Sequence, residues 1–104
     1  MKKKCEVNVL PTAQEDFLHH IDFIASDKPL AAEKMADRFE NAFEILSENP
    51  LAGRQPREKR LKLLGYRYLI IGSYLIFYRV QNNKVFIYRI FHGSQDYLKV
   101  LLIE

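Results

Sequence analysis

The basic side chains of this chain are concentrated in one segment, residues 54–67, where six of them stand against a single acid, Glu58. Such a density of Lys and Arg can bind the phosphate groups of a nucleic acid or an acidic protein surface. Tyr66 lies within the segment and Tyr68 directly follows it. Both could stack on bases, although tyrosines in a strand usually pack against neighbouring side chains. The segment and a later strand supply our candidate contacts with a nucleic acid or another target: Lys59, Arg60, Lys62, Arg67 and Arg79.

Three side chains near the end of the chain, Arg89, His92 and Tyr97, are of types that take part in acid–base and phosphate chemistry. Each also has a structural interpretation. Arg89 could bind a partner's carboxylate, His92 could be a hydrogen-bonded histidine at a strand end, and Tyr97 could pack. The other two histidines, His19 and His20, are adjacent on a predicted helix, so they point apart and make no metal pair. We expect no metal and no small-molecule cofactor.

Length and composition indicate a single globular domain over residues 1–104. The lone cysteine, Cys5, excludes an internal disulfide, and no stretch approaches the roughly 20 apolar residues of a membrane span. We therefore expect a cytoplasmic protein. The net charge of +3 conceals an asymmetry, since residues 12–50 carry nine acids and three bases, whereas residues 54–104 carry ten bases and three acids. The second half could face nucleic acid, the ribosome or an acidic protein, or the halves could be two solvated faces of opposite sign.

Helical periodicity predicts two helices after a short first strand at residues 4–10. Pro11 ends that strand, and Thr12 with Glu15 three residues later forms a capping box for a helix that runs to about residue 26. Pro29 suits the first turn of a second helix, which ends before Gly53. Two apolar stripes predict that the helices pack as an antiparallel hairpin. The stripes are Ala13, Phe17, Ile21 and Ile24 on the first helix, and Ala32, Met35, Phe39, Ala42, Phe43 and Leu46 on the second.

After Gly53 the apolar pattern becomes alternating, which predicts strands. We expect one strand at residues 61–71, bent at Gly65, and two more at residues 74–80 and 84–92, joined by a turn at Asn82-Asn83. That turn pairs Val80 with Val85, Tyr78 with Ile87 and Ile76 with Arg89 on one face, and Phe77 with Tyr88 and Leu75 with Ile90 on the other. Both faces are largely apolar, so the helices should cover one and something else should contact the other. The tail at residues 94–104 should dock on the sheet or on a partner.

The predicted fold is α+β in the order β-α-α-β-β-β, with an N-terminal strand and a helical hairpin packed on a small, mainly antiparallel sheet. Five local strings occur in order along nearly the whole chain: PTA at residues 11–13, DKPLAA at 27–32, NPLAGR at 49–54, YLIFYRV at 74–80 and RIFHGSQDY at 89–97. Together with the order of elements, these strings resemble the RelE/ParE superfamily.

The resemblance implies a toxin of a type II toxin–antitoxin module, neutralised by a cognate antitoxin whose extended or helical segment wraps the sheet and helices. An uncovered sheet edge or apolar face could bind such a segment. Members divide by target: RelE-like toxins cut messenger RNA in the ribosome, and ParE-like toxins poison DNA gyrase. A nuclease site needs cations to stabilise the phosphorane charge and a His or Tyr for proton transfer. In this chain the catalytic residues would then be Arg89, His92 and Tyr97.

Three positions favour the ParE-like alternative. Nuclease members typically place an Arg after the Tyr that opens the YLIFYRV strand, where this chain has Leu75; many also carry basic residues where it has Ser94 and Gln95. Without these cations, the phosphate would lose charge stabilisation on the order of several kcal/mol. Lys62 and Arg67 could still support a weaker site. We therefore favour a gyrase poison that acts by binding. A ribosome-dependent messenger RNA endonuclease and a degenerate toxin that only binds its antitoxin are the alternatives.

Overall fold

The computed structural model describes residues 4–102 as an α+β domain built on one four-stranded sheet. The elements are β1 (Glu6–Val9), α1 (Pro11–Ala25), α2 (Pro29–Glu48), α3 (Lys59–Leu63), β2 (Arg67–Ile71), β3 (Tyr74–Gln81), β4 (Lys84–His92) and α4 (Tyr97–Leu102). The strand order is β1-β4-β3-β2, with β1 parallel to β4 and the other pairs antiparallel. The predicted architecture, a helical hairpin on a mainly antiparallel sheet, is confirmed.

The helical hairpin covers one face of the sheet through the two predicted stripes. Ala13 on α1 and Phe39, Ala42 and Leu46 on α2 are fully buried. They pack with alternate residues of β3 and β4 in the larger of two apolar clusters, whose sheet members are Tyr74, Ile76, Tyr78, Val85, Ile87 and Ile90. Because these side chains recur at helical spacing on one element and at alternate positions on the other, periodicity alone predicts this layer.

The start of α1 differs from the prediction. The helix begins at Pro11, and the residue before its first turn is Leu10, whose side chain makes no capping hydrogen bond. The Thr12–Glu15 capping box is therefore wrong. Proline at the first helical position has no N–H to satisfy and a suitable φ, and the Leu10 N–H donates to the Ile87 carbonyl of the neighbouring strand at 3.0 Å. The strand pairing continues to Leu10 and the helix begins at the next residue, so no capping residue lies between them.

The β3–β4 hairpin confirms the predicted turn but shifts the register beyond it. Asn82 and Asn83 both have positive φ, 52° and 61°. The pairs next to the turn are as predicted: Val80 with Val85 and Tyr78 with Ile87. Further from the turn, between Tyr78 and Phe77, a bulge inserts one extra residue into β4. The other three predicted pairs are therefore wrong. The observed pairs are Phe77 with Arg89, Ile76 with Ile90 and Leu75 with Phe91.

The segment from 61 to 71 is not one bent strand, as predicted, but the end of a short helix, a turn and a strand. The Glu58 carboxylate accepts a hydrogen bond from the Arg60 N–H at 2.8 Å and starts α3. Gly65, with φ +87°, then reverses the chain into β2. The run from Leu61 to Leu64 has no clear period, so short-range pattern could not distinguish helix from strand.

The second face of the sheet is covered in part by α3 and α4 of the chain itself. Leu61, Tyr66, Phe77 and Phe91 form a second buried cluster, and Tyr97, Leu101 and Leu102 pack against it. The prediction that the tail docks on the sheet is confirmed for residues up to 102, whereas 103–104 lie outside the described residues. The apolar second face thus finds part of its cover within the chain.

Candidate functional site

Arg89 lies where β4 continues past the end of its neighbour β1. The last pair between these strands is Val9 with Ile87. Beyond it, the Asp16 carboxylate of α1 takes over: its Oδ2 accepts from Arg89 Nε at 2.7 Å and from the Ile90 N–H at 2.9 Å, and its Oδ1 accepts from Arg89 Nη2 at 3.0 Å. This side-chain pairing raises the pKa of Arg89 further above its ordinary value. The positive charge of Arg89 is therefore neutralised within the fold.

His20 completes the same edge one helical turn after Asp16. Its Nε2 lies 2.8 Å from the Ile90 carbonyl, which can only accept, so Nε2 carries the hydrogen. The two α1 side chains therefore satisfy both backbone polar groups of Ile90. Sequence analysis did not identify this role for either residue. The spacing of four places Asp16 and His20 on one face of α1, but the sequence does not show that this face meets Ile90 of β4.

His92 lies on the same face of the sheet as His20. Its ring packs edge-on against Tyr74, with ring centres 5.2 Å apart. Its Nδ1 accepts from the Ser94 N–H at 3.2 Å and lies 2.7 Å from Ser94 Oγ, and its backbone N–H donates to Gln95 Oε1 at 2.7 Å. Ser94 and Gln95 therefore build the turn that follows β4.

Tyr97 lies on the opposite face. Its ring packs in the second cluster, 5.1 Å from the ring of Phe77 and 6.2 Å from that of Phe91. His92 contacts the hairpin side of the sheet, and Arg89 is paired with Asp16. Arg89 and Tyr97 both contact the ring of Phe91, with the Arg89 guanidinium 5.0 Å from its centre, whereas His92 lies on the other face. The three candidate catalytic residues therefore do not share one face of the sheet.

Arg67 supports the loop before α3. Its Nη1 donates to the Gly53 carbonyl at 2.9 Å. The Tyr78 hydroxyl accepts from the Gly53 N–H and donates to the Pro50 carbonyl, both at 2.8 Å, and burial raises the pKa of Tyr78. A Cβ at Gly53 would lie 2.6 Å from that hydroxyl, so only glycine permits the approach. The charge of Arg67 is committed largely to holding this loop.

Arg79 is half-buried between two tyrosines on the second face of the sheet. Its guanidinium lies 5.5 Å from the ring centres of both Tyr66 and Tyr88. Each contact is a cation–π interaction. Arg79 thus packs as a planar group against both rings, and its Nη1 lies 3.5 Å from the Tyr88 hydroxyl.

The remaining candidate cations form an exposed group on and beside α3. Lys59, Arg60 and Lys62 are all exposed, as is Arg57 just before the helix. Arg60 pairs with Glu58 through Nε at 3.1 Å, whereas no ion pair within the described chain engages Lys59 or Lys62. Leu63 and Leu64 beside them are 76% and 45% exposed. We call Arg57, Lys59, Arg60, Lys62, Leu63 and Leu64 the α3 surface.

The family of the chain follows from comparison with known proteins. Residues 7–97 match the family described as the ParE toxin of the type II toxin–antitoxin system parDE. The chain belongs to this ParE toxin family. No curated protein sequence matches it.

Three solved structures with the same fold come from toxin–antitoxin systems. A chain of the chromosomal ParDE system from P. aeruginosa superposes with a TM-score of 0.71 at 20% identity, over 86% of this chain and 97% of that one. A chain of the RelBE2 toxin–antitoxin complex from Mycobacterium tuberculosis gives 0.62 at 26%, over 91% and 98%. A chain of the YoeB–YefM complex from Staphylococcus aureus gives 0.56 at 19%, over 86% and 98%. The ParE-family fold is thus shared by systems that bear both the ParE and the RelE names.

Two further features bear on the chemistry of this ParE-family chain. Within residues 4–102, no cluster of three or more His, Cys, Asp or Glu side chains is arranged to hold a metal ion. None of the helices in that range is both long and apolar enough to cross a membrane.

Proposed function

We propose that this ParE-family toxin inhibits growth in the cytoplasm by binding DNA gyrase, and that a cognate antitoxin neutralises it. The observation that carries the proposal is the state of Arg89. A nuclease would need this cation to face the phosphate, but the Arg89 side chain is 26% exposed and its guanidinium is bound by Asp16 through two hydrogen bonds. A toxin that acts by binding requires no such free cation.

The environment of the three neutral positions argues against a ribosome-dependent nuclease. Leu75 packs against the second buried cluster, and Ser94 and Gln95 hold the turn after β4. All three have structural roles that basic side chains would not serve equally well. The structures from the RelBE2 and YoeB–YefM complexes share the fold of this chain. A shared fold does not by itself imply a shared reaction.

The α3 surface is the best candidate for the contact with gyrase. It combines exposed cations with two exposed leucines, and interfaces commonly place charged groups around an apolar centre. The other candidate cations are less available, because Arg67 supports the Gly53 loop and Arg79 is stacked between tyrosines.

The free edge of β2 is a suitable place for the antitoxin to add a strand. Tyr68 exchanges both backbone hydrogen bonds with Arg54 on that edge. Ile70, the next residue in the same orientation, is 48% exposed and has no strand on its outer side in the order β1-β4-β3-β2. An antitoxin segment could therefore continue the sheet where Arg54 leaves it.

Pulse labelling after induction of the chain without its antitoxin tests the target. We expect thymidine incorporation to collapse within the first minutes while amino-acid incorporation continues, and co-expression of the antitoxin to prevent both effects. Purified chain should also inhibit supercoiling by gyrase. Early collapse of amino-acid incorporation would instead establish the ribosomal nuclease, and an absence of growth arrest would establish a degenerate toxin that only binds its antitoxin.

A further inference from the structure

A cavity of about 490 Å³ lies between the end of α1 and the strand ends of β3 and β4. All three histidines of the chain line it, together with Phe23, Tyr74 and Lys28. The sequence places two of these histidines next to each other on a helix and the third more than 70 residues away, so only the fold brings them together. A volume of this size is within the range of small-molecule sites.

The floor of the cavity carries a hydroxyl without a partner. The Tyr74 side chain is only 6% exposed, and it packs between the rings of Phe39, His20 and His92. Its hydroxyl makes no hydrogen bond with any residue between 4 and 102. The fully enclosed side-chain atom that lacks a partner in that range is Asn8 Nδ2, so the Tyr74 hydroxyl must reach open space. The cavity that Tyr74 lines provides this space.

Two ring nitrogens add an acceptor and a donor. His20 is 8% exposed and donates through Nε2 to the Ile90 carbonyl, which leaves Nδ1 of the neutral ring as an acceptor. His92 accepts at Nδ1 from the Ser94 N–H, so in the neutral ring its Nε2 carries a hydrogen to donate. Neither of these remaining nitrogens has a hydrogen-bonding partner among the described residues. Among the described residues the fully enclosed unpartnered side-chain atom is Asn8 Nδ2, so these two nitrogens, like the Tyr74 hydroxyl, are open to the cavity. A ligand that fills the cavity must therefore offer hydrogen bonds to all three groups, because a polar group that is buried without a partner is costly.

We propose that this cavity binds a nucleobase that carries a 5′-phosphate. The aromatic rings of Phe23, Tyr74 and the histidines suit a flat ring that stacks. Tyr74, His20 and His92 together offer the donors and the acceptor that the edge of a base can satisfy. Lys28 lines the cavity next to Asp27 and supplies the cation for the phosphate. An aliphatic ligand would bury the three polar groups without hydrogen bonds. The base comes either from a free mononucleotide or from the 5′ end of a single strand.

Titration calorimetry of the full chain with AMP, GMP, CMP and UMP tests the site. We expect saturable binding of at least one of them, with a Kd on the order of 0.1–1 mM. Tyr74→Phe keeps the ring and removes the hydroxyl, so the affinity should fall about three- to tenfold. Lys28→Gln should weaken binding of the monophosphate and leave binding of the corresponding nucleoside unchanged. A 5′-phosphorylated tetranucleotide identifies the source of the base: tighter binding than the mononucleotide indicates a strand end, and equal or weaker binding indicates a free nucleotide.

Tyr88→Phe and Lys34→Gln are the matched controls, because neither residue lines the cavity. Both should bind as the unmodified chain does. Circular dichroism of each variant separates loss of binding from loss of fold. Absence of saturable binding, or unchanged affinity in a folded Tyr74→Phe, would overturn the proposal. It would also be overturned if nucleotides fail to bind and Tyr74→Phe weakens the antitoxin instead, because the cavity would then belong to the protein partner.

Discussion

Asp16 and Arg89, 73 residues apart, form a two-bond ion pair at the point where β4 loses its neighbouring strand. The Asp16 side chain is 14% exposed and that of Arg89 is 26% exposed, so water screens the pair only in part. The same carboxylate also accepts from the Ile90 N–H. Asp16 thus holds α1 against the sheet. It also occupies the guanidinium of Arg89, which a nuclease would need for binding phosphate.

Removal of the Asp16 carboxylate should destabilise the fold. Asp16→Ala leaves the Arg89 charge and the Ile90 N–H without a partner, and we expect a loss of about 2–4 kcal/mol in the free energy of unfolding. Asp16→Asn keeps an acceptor for the N–H and should cost less, about 1–2 kcal/mol. Urea unfolding measures both. Asp22→Asn, an exposed change on the same helix, should have almost no effect; equal stability of all three variants would contradict a structural role for Asp16.

Introduction of the missing arginine should not create a nuclease. Leu75 is partly buried and packs against the second cluster, so Leu75→Arg loses this apolar contact and partly buries a charge, which should lower the stability by about 1–3 kcal/mol. We expect no gain in ribosome-dependent cleavage of messenger RNA, measured by primer extension. Ser94→Arg introduces the second missing cation at an exposed position, where it should cost less stability than Leu75→Arg. A clear gain of cleavage in either variant would show that the scaffold retains a nuclease site.

Periodicity predicted the parts of the fold that depend on local pattern. The two helical stripes and the Asn82–Asn83 turn were correct, because helix packing and a two-residue turn are encoded within a few neighbouring residues. The β4 bulge was missed, since a two-residue turn fixes only the pairs next to it and the extra residue lies further along the strands. The short helix α3 was missed because its leucines fit either period.

The candidate site was predicted by residue type but not by arrangement. Arg89, His92 and Tyr97 have the right chemistry for a nuclease, yet Asp16 binds Arg89, and His92 lies on the other face of the sheet from Tyr97. The cavity lined by His19, His20 and His92 could not be foreseen, because it depends on where the end of α1 meets the end of β4. The local sequence does not show that the ends of α1 and β4 lie next to each other.

The α3 surface should determine inhibition of gyrase without affecting the fold. The double variant Lys59→Glu, Lys62→Glu reverses two exposed charges, and we expect inhibition of supercoiling to weaken at least about tenfold. Thermal unfolding should change little, because exposed charges contribute little to stability. Lys34→Glu on α2 makes the same kind of change elsewhere and should inhibit normally. If the double variant remains as potent as the unmodified chain, gyrase binds another surface.

The turn between β3 and β4 should discriminate between glycine and alanine at Asn83. Its φ of 61° is in the left-handed region, where alanine is disfavoured and glycine is not. Asn83→Ala should therefore lower the free energy of unfolding by about 1 kcal/mol, whereas Asn83→Gly should raise it by about 0.5 kcal/mol. Chemical unfolding of the pair provides the measurement. The reverse order would mean that the turn has a different geometry.

Tyr78 should make the fold sensitive to alkaline pH. Burial raises the pKa of this phenol above its ordinary value near 10. A raised pKa in the folded state means that the stabilisation is complete below pH 10 and is lost as the pH rises through the folded value. Unfolding measured from pH 8 to 11.5 should therefore show a loss of stability above pH 10.

Tyr78→Phe separates this effect from general alkaline unfolding. The variant lacks the titrating hydroxyl and should lose stability less steeply above pH 10 than the unmodified chain. At pH 8 it should already be about 1–3 kcal/mol less stable, because the Gly53 N–H and the Pro50 carbonyl lose their partner. Tyr68→Phe, on the neighbouring strand, keeps the Tyr78 hydroxyl and should retain the full alkaline dependence. Identical pH profiles for Tyr78→Phe and the unmodified chain would show that this hydroxyl does not control alkaline stability.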